Sequence, residues 1–275
     1  PTAPAYAAAE HVICVDAPAG ATCDETRSTI ALAISLANSN ATDDLILLGA
    51  HTYSDGPYVL QPSNGHSLSL RGAGQGVTVL TAPASSAQTY LTVYSGTVSD
   101  LTIEMETTNS SGDKGLYLGQ QATADRVTVD GAGTSNATAV EMSESTLRRS
   151  SLSASPTTGR GVFSAGNNTV TDTTISASQG FDLSDPGTVD VVSRVSVRSD
   201  WQGFATDGGT ITIDDSVVDL GASVGSTGLF AGNDNNGTSP KTINADHVTV
   251  IGGGSGSMGV WAYAAASGAT TTSSV

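Results

Sequence analysis

The sequence predicts an all-β parallel β-helix, a solenoid of stacked strand coils with a short N-terminal capping α-helix. Two repeating phrases and one helical segment support this prediction. In the first phrase an apolar residue closes each copy, and successive copies are separated by 24, 26, 23, 23, 22, 21 and 32 residues. These closing residues are Val79, Ile103, Val129, Leu152, Ile175, Val197, Val218 and Val250. Another aliphatic residue stands five positions before most of them: Val98, Leu147, Val170, Val192 and Ile213.

The second phrase is usually a glycine followed by an apolar residue, and it interleaves with the first. Its copies are Gly115-Leu116, Ala139-Val140, Gly161-Val162, Gly180-Phe181, Gly203-Phe204, Gly228-Leu229 and Gly259-Val260. A period of about 20 to 25 residues with several β-branched runs per period is typical of stacked strand coils. Leucine-rich repeats share the period, but their L-x-x-L-x-L pattern and helical periodicity are absent. Like residues should therefore stack about 4.8 Å apart.

The capping helix is predicted from the stretch TCDETRSTIALAISLANSN. Thr22 and Glu25 have the spacing of a capping box, and an apolar helical run continues through Leu36. A helix here would cover the open first coil, whose unpaired strand edges otherwise invite aggregation.

From about Val12 onward the chain resembles the right-handed parallel β-helix proteins of the pectin-lyase-like superfamily. The stretches DDLILLGAHTY and HSLSLRGAGQGVTVL are similar to the first rungs of those proteins, where a glycine-rich turn follows a buried strand. The resemblance implies a right-handed coil. It implies little about activity, because this scaffold carries lyases, hydrolases, epimerases, phage tailspikes and surface adhesins.

The domain prediction divides the chain in two. Residues 1–11 are a signal-peptide remnant, with an A-x-A cleavage pattern at Ala5-Tyr6-Ala7, or a flexible linker. Residues 12–275 form a single β-helix domain. After Trp261 the stretch YAAASGATTTSSV reaches about the next closing strand with no terminal cap, so we expect an N-terminal piece of a longer protein.

Charge and cysteine content restrict the partners and the compartment. The formal charge is −16, from 10 Lys plus Arg against 26 Asp plus Glu. This balance disfavours nucleic acid, anionic membranes and polyanionic glycans that lack a bridging cation. No apolar run is long enough for a transmembrane helix. Cys14 and Cys23 suit one short-loop disulfide in a secreted or cell-surface protein, with reduced thiols as the alternative.

One predicted turn column stands three residues before each phrase end, and charges of opposite sign mostly alternate along it. Its members are Asp100, Arg126, Arg149, Asp172, Arg194, Asp215 and His247. We interpret the column as a structural ladder of ion pairs; the alternative is that one arginine serves as the base of a lyase.

A second column follows the glycine-apolar phrase, and aromatic and carboxylate side chains alternate along it. Sugar rings stack on aromatic faces and carboxylates accept hydrogen bonds from hydroxyls, so this column predicts a glycan-binding strip. Short connections around Phe181 and Phe204 predict a saddle in the same region. The predicted carbohydrate-binding residues are Tyr117, Phe163, Trp201, Gln202, Phe230 and Trp261. The saddle would hold Asp182, Asp200, Trp201, Gln202 and Asp207.

Catalysis is the competing prediction for this face. Inverting glycosidases place two carboxyl groups about 6.5–9.5 Å apart, and a lyase needs Ca²⁺ ligands together with an Arg or Lys base. The candidate catalytic residues are Glu141, Asp182, Asp200, Asp207 and Arg198. The hydrolase signature that the resemblance implies is not assembled, since Asp214-Asp215 stands alone. The four histidines are too dispersed for a metal triad, and GNDNNG at residues 232–237 has a Ca²⁺-like composition without the remaining pattern.

These observations favour a secreted or cell-surface module that binds glycans, or acts as an adhesin or structural surface domain, without catalysis. The alternative is a polysaccharide lyase or inverting glycoside hydrolase with its site on the outer face. A pure spacer in a larger surface protein is a third hypothesis. The expected partner is a polysaccharide or cell-surface glycan. No cofactor is expected, except Ca²⁺ in the case of a lyase.

Overall fold

The fold is a parallel β-helix in a computed structural model of the chain. The structure describes residues 11–16, 20–62, 66–81, 89–106, 112–232 and 241–262, and the backbone of 271–274. Within these residues it contains one α-helix and 26 strands, and their pairings are parallel. Residues 1–10 of the predicted signal-peptide remnant or linker, residues 233–237 of the GNDNNG stretch and residues 263–270 lie outside the described residues.

The strands, numbered in chain order, form three faces of one continuous coil. Sheet I contains β1 (His11–Val15), β2 (Glu25–Arg27), β3 (Asp44–Leu48), β6 (Leu68–Arg71), β13 (Thr146–Arg148), β16 (Thr169–Thr171), β18 (Val189–Ser193), β20 (Gly209–Asp214), β23 (Lys241–Asp246) and β26 (Thr271–Ser274). Sheet II contains β4 (Thr52–Tyr53), β7 (Val79–Leu80), β14 (Ser151–Ala154), β21 (Val217–Asp219) and β24 (Thr249–Ile251). Sheet III contains β5 (Tyr58–Leu60), β8 (Thr89–Val93), β10 (Lys114–Leu118), β12 (Thr138–Met142), β15 (Arg160–Ser164), β22 (Thr227–Ala231) and β25 (Met258–Ala262).

Four longer strands bend through two of these sheets. β9 (Thr97–Glu104) and β11 (Thr123–Gly131) run from sheet I into sheet II. β17 (Thr174–Leu183) and β19 (Ser196–Thr206) run from sheet II into sheet III. The pairing of β9 with β11 keeps one register through the bend, whereas the pairing of β17 with β19 shifts register there.

The predicted internal stack is confirmed. The closing residues of the first phrase pair in order through sheet II, and Ile103, Val129, Ile175 and Val197 are each at most 2% exposed. One member was wrong, because Leu80, not Val79, pairs with Ile103. The earlier aliphatic residues stack in the same way in sheet I. The result is one dry interior along the axis.

The predicted turn column marks the bend from sheet I to sheet II. All seven of its residues adopt left-handed backbone conformations, with φ between 48° and 58°. The ladder of ion pairs is present in part: Arg126 Nε lies 2.5 Å from Asp100 Oδ1, and Arg194 Nε lies 2.6 Å from Asp172 Oδ1. Arg149 departs from the prediction, because it pairs with Asp125, one position before the column. The Arg194–Asp172 pair faces solvent and therefore contributes little to stability.

The capping helix is confirmed, but its predicted start was wrong. Helix α1 spans Ile30–Ala37, and its N-cap is Thr29, whose side chain accepts a hydrogen bond from the Leu32 amide. Glu25 instead belongs to β2, which pairs with β1, so the Thr22–Glu25 spacing was no capping box. Ile30 and Ala33 are fully buried in the core of the first coil. No helix in the described residues has the length and apolarity needed to span a membrane.

The N-terminal end is further fixed by the Cys14–Cys23 disulfide, as predicted. Cys14 lies on the outer face of sheet I, where it packs with Leu45 and Leu47 in a small cluster separate from the main core. The bond therefore ties the segment before α1 to β1 from outside the coil.

Candidate functional site

Two columns of side chains run along the outer face of sheet III. Backbone pairing places each member beside its counterpart in the next rung, about 4.8 Å away. The first column contains Thr89, Lys114, Thr138, Arg160, Gln179, Gln202, Thr227 and Met258. The second column, three residues further along each strand, contains Thr92, Tyr117, Glu141, Phe163, Asp182, Ala205, Phe230 and Trp261. The second column is the alignment that the sequence predicts.

Small residues between the two columns bring sheet III close to sheet II. A Cβ atom at Gly161 would lie 2.1 Å from Cγ2 of Ile175, and one at Gly180 would lie 2.3 Å from Cγ1 of Val197. Because real Cβ atoms do not approach other atoms so closely, these rungs require glycine. The glycine-apolar phrase thus reflects packing, and it also sets the position of both columns.

Cations of the first column reach carboxylates of the second column in the next rung. Lys114 Nζ lies 2.7 Å from Glu141 Oε2, and Arg160 Nε lies 3.6 Å from Asp182 Oδ2. The close pairing with Lys114 occupies Glu141. Asp182 is paired more loosely, so it is the more available of these two candidate carboxyl groups.

Asp182 is a buried carboxyl group with an unused acceptor. It is 3% exposed, and its Oδ1 atom has no hydrogen-bond partner. Burial raises the pKa of Asp182 to about 6, while the charge of Arg160 lowers it and that of Asp207 raises it further. A buried carboxyl oxygen without a donor is costly for a folded protein. Such an atom points to a function or to a ligand that supplies the donor.

Arg160 contacts three neighbouring side chains: Phe163, Gln179 and Asp182. Its guanidinium carbon lies 5.0 Å from the centre of the Phe163 ring, and its Nε donates to Gln179 Oε1 at 3.2 Å. Gln179 Nε2 in turn donates to Gln202 Oε1 at 3.0 Å. The Arg160 side chain is 46% exposed, so the group opens to solvent on this side. Sequence reasoning missed Arg160 and Gln179, although their column could have been found by writing out the residue before each glycine.

The residues of the predicted saddle lie in two places. Gln202 lies in the first column, one rung beyond Gln179, and Asp207 follows β19 at the end of sheet III. Asp200 and Trp201 instead form a bulge at the corner of sheets II and III, where the register shifts between Ala177 and Gln179. The structure therefore places Asp182, Gln202 and Asp207 on sheet III, and Asp200 and Trp201 at the corner directly before Gln202; their common saddle stays a prediction.

The bulge residues have surroundings of their own. Trp201 is 52% exposed, and Asp200 Oδ1 accepts a hydrogen bond from Ser223 Oγ at 2.8 Å. Arg198 is exposed on sheet II and pairs in register with Asp219. Arg198 and Asp200, two of the predicted catalytic candidates, thus lie outside the column of sheet III that carries Asp182.

The aromatic strip is less open than the sequence predicts. Phe230 is only 5% exposed and packs edge-on against Trp261, with ring centres 5.3 Å apart. Arg160 covers the Phe163 ring. Tyr117 is half-buried and meets Tyr94 edge-on at 5.8 Å. Phe230 is therefore wrong as a stacking platform, and Trp261 and Tyr117 offer the better surfaces.

One group of side chains in the described residues has the geometry to hold a metal ion. Ligand atoms of Asp214, Asp215 and His247 lie within 4.8 Å of one another at the corner of sheets I and II. All three side chains are exposed, and the imidazole also lies 3.6 Å from Asp246.

Comparison with known proteins finds solved structures with a similar fold, but no sequence family. No protein-family model matches the chain, and no curated protein matches its sequence. A pectin methylesterase solved in complex with a hexasaccharide is similar in structure, with a TM-score of 0.55 and 15% identity over 78% of this chain and 80% of that one. The pectin methylesterase PemA from Erwinia chrysanthemi gives a TM-score of 0.52 at 15% identity over the same shares.

A third solved structure extends the similarity over more of the chain. The pectate lyase Pel9A has a TM-score of 0.56 and 14% identity, covering 91% of this chain and 78% of the other. These neighbours are right-handed parallel β-helix proteins, as the resemblance to the pectin-lyase-like superfamily implied. The chain is thus a right-handed parallel β-helix.

Proposed function

We propose that the outer face of sheet III binds a polysaccharide and that Asp182 transfers the proton in hydrolysis of a glycosidic bond. One observation carries the proposal: Asp182 is buried on this face, and its Oδ1 atom has no hydrogen-bond partner. A substrate hydroxyl, a glycosidic oxygen or a water molecule would supply the missing partner. The buried carboxyl is then costly to the fold and useful to the reaction.

The protonation chemistry of Asp182 suits this role. With a pKa of about 6, the carboxyl group is present in both forms near neutral pH. A general acid or base works best when its pKa is close to the working pH, and such catalysis contributes about 10²- to 10⁴-fold. Arg160 stabilises the ionised form after the proton leaves.

Asp207 is the best partner carboxylate. Glycoside hydrolysis ordinarily uses two carboxyl groups on either side of the bond. Asp207 stands two residues after Ala205, the residue that pairs with Asp182 in the next rung, and its charge acts on Asp182. Elimination is less well supported, because Lys114 and Arg160 are each paired with a carboxylate and Arg198 lies on sheet II.

The face favours a neutral or esterified glycan. Its polar groups include the amides of Gln179 and Gln202 and the hydroxyls of Thr138 and Thr227, while the chain as a whole carries a charge of −16. Repulsion therefore disfavours a fully ionised polyuronate. The names of the similar structures, pectin methylesterase and pectate lyase, support a polysaccharide as the class of substrate. The disulfide supports a secreted or cell-surface location.

The test compares the parent with Asp182→Asn on a panel of neutral, esterified and ionised polysaccharides. We expect new reducing ends from the parent and a loss of about 10²- to 10⁴-fold in Asp182→Asn. Asp200→Asn, in the bulge, is the matched control and should keep parental activity. Absorbance at 235 nm reports elimination. Equal cleavage by the parent and Asp182→Asn would contradict the role of Asp182.

Binding without catalysis is the second candidate, supported by the exposed ring of Trp261 and by Tyr117. It predicts retention of the parent on an immobilised glycan, with weaker retention of Trp261→Ala and Tyr117→Ala. Trp201→Ala is the control, since its ring lies in the bulge. If no polysaccharide is cleaved and retention still depends on Tyr117 and Trp261, this candidate replaces hydrolysis.

A further inference from the structure

We propose that Arg160 is a positioning residue that fixes the amide orientation of Gln179 and Gln202, leaving the Gln202 amide nitrogen as a hydrogen-bond donor for a substrate oxygen. The inference deepens the proposed function and rests on it for the identity of the ligand. The orientation itself rests only on contacts between Arg160, Gln179 and Gln202.

The first step is the chemistry of the guanidinium group. Arginine has donors and no acceptor. The Gln179 atom that meets Arg160 Nε at 3.2 Å must therefore be its carbonyl oxygen, Oε1. Any opposite orientation would place two donors against each other.

In the second step, the orientation of the Gln179 amide fixes that of Gln202 in the next rung. With Oε1 turned to Arg160, the other end of the Gln179 amide is its NH₂ group. That group donates to Gln202 at 3.0 Å, so the Gln202 atom facing it must be Oε1. The NH₂ group of Gln202 then lies on the side of its amide that faces away from Gln179. Among the described residues, this nitrogen makes no hydrogen bond.

The third step concerns the anchoring of Arg160. The Phe163 ring lies 5.0 Å from its guanidinium carbon, and Asp182 Oδ2 lies 3.6 Å from its Nε. Both contacts restrain the same group that orients Gln179. Arg160 thus contacts Asp182 directly and Gln202 through Gln179. A substrate hydroxyl could donate to Oδ1 of Asp182, and a substrate oxygen could accept from the NH₂ group of Gln202.

The first experiment needs no substrate. Hydrogen exchange of side-chain amides, followed by ¹⁵N NMR, is measured in the parent, Arg160→Lys and Arg160→Met. We expect the hydrogen-bonded amide proton of Gln179 in the parent to exchange about tenfold or more slowly than the amide protons of Gln202, because Gln179 Nε2 donates to Gln202 Oε1. Lysine also has donors only and should preserve the difference, whereas methionine should reduce it by severalfold.

Lys114→Met is the matched control, since it removes a cation of the same column that pairs with Glu141. It should leave both amides as in the parent. Parental exchange at both glutamines in Arg160→Met would overturn the proposal, and so would the absence of any difference between the two glutamines in the parent.

The second experiment uses the substrate that the panel identifies. Gln202→Glu keeps an acceptor toward Gln179 and loses the donor, so we expect the KM to rise about tenfold or more with a smaller change in kcat. Arg160→Met should also move the alkaline limb of the pH profile to higher pH, because the charge of Arg160 lowers the pKa of the proton donor Asp182; a merely structural residue would not do this. Unchanged KM in Gln202→Glu would overturn the donor role. An inactive parent with the expected exchange pattern would overturn hydrolysis and leave the orientation established.

Discussion

Two buried aspartates differ in how their carboxyl oxygens are satisfied. Asp190 is fully buried, and its two carboxyl oxygens accept hydrogen bonds from Ser164 Oγ at 2.5 Å and from the Asn168 amide at 2.8 Å. Burial raises the pKa of both Asp190 and Asp182. Only Asp182 has an oxygen without a partner. Asp190 therefore belongs to the structure of the turn between sheets III and I, and Asp182 is the residue whose burial calls for a functional reason.

Asp182→Asn should stabilise the protein above pH 6. The pKa of Asp182 is about 6 when folded and 3.8 in the reference state, so the carboxyl loses its proton less readily in the folded protein. Below pH 3.8 the group is protonated in both states and imposes no ionisation penalty. As pH rises through 6 the penalty grows to about 3 kcal/mol. Urea unfolding at pH 8 and at pH 4 measures the difference between variant and parent.

Asp190→Asn provides the control for this measurement. The substitution replaces an acceptor by an NH₂ group that faces donors, so it should destabilise the fold by about 1–3 kcal/mol at pH 8. Equal destabilisation by the two substitutions would show that the carboxylate of Asp182 is satisfied in the folded state.

At the scale of strands, register was the feature that the sequence predicted best. A parallel β-helix repeats the same neighbours in each rung, so spacing alone brought together Ile103, Val129 and the residues that follow them. The one error in register was to place Val79 where Leu80 lies. It occurred in β7, whose two residues are both apolar and show no alternation of polar and apolar positions. The helix start was wrong because Thr22 lies next to a disulfide-linked cysteine and not at a free helix end.

The site was predicted less well, for a physical reason. A column position tells which residues are neighbours but not which side chains cover one another, so the burial of Phe230 and Asp182 could not be predicted. Arg160 was missed because its importance lies in contacts across rungs. The corner position of Asp200 and Trp201 could not be predicted, because a bulge adds a residue without changing the repeat that surrounds it.

Gly203→Ala should destabilise the coil by about 1–3 kcal/mol, as overpacking usually does. A Cβ atom at this position would lie 2.4 Å from Cγ1 of Val218 and 2.5 Å from the Gly228 carbonyl oxygen. Gly259→Ala is the control, because it belongs to the same column and meets nothing within 4 Å. Denaturant unfolding measures both variants. Gly→Ala by itself lowers the entropy of the unfolded chain and favours folding, so a cost in Gly259→Ala equal to that in Gly203→Ala would show that these close contacts are not what selects glycine here.

At the scale of the whole molecule, the described coils differ in how they cover the interior. Near the N-terminus, α1 buries Ile30 and Ala33 against the first coil. Inner coils bury their inward residues against the rungs on either side, as Leu229 does at 3% exposed. Because each rung of a solenoid contacts only its neighbours, stability should vary along the axis.

The Cys14→Ser, Cys23→Ser double variant should therefore weaken one end and leave the proposed site intact. The two cysteines are nine residues apart, and closing a loop of that length contributes about 2–3 kcal/mol. The disulfide contacts Leu45 and Leu47, so its loss acts first on β1 and β3. Hydrogen exchange should accelerate in His11–Leu48 and stay parental in β17 and β19, which carry Asp182 and Gln202. Uniform acceleration along the chain would mean that the solenoid opens as a single cooperative unit.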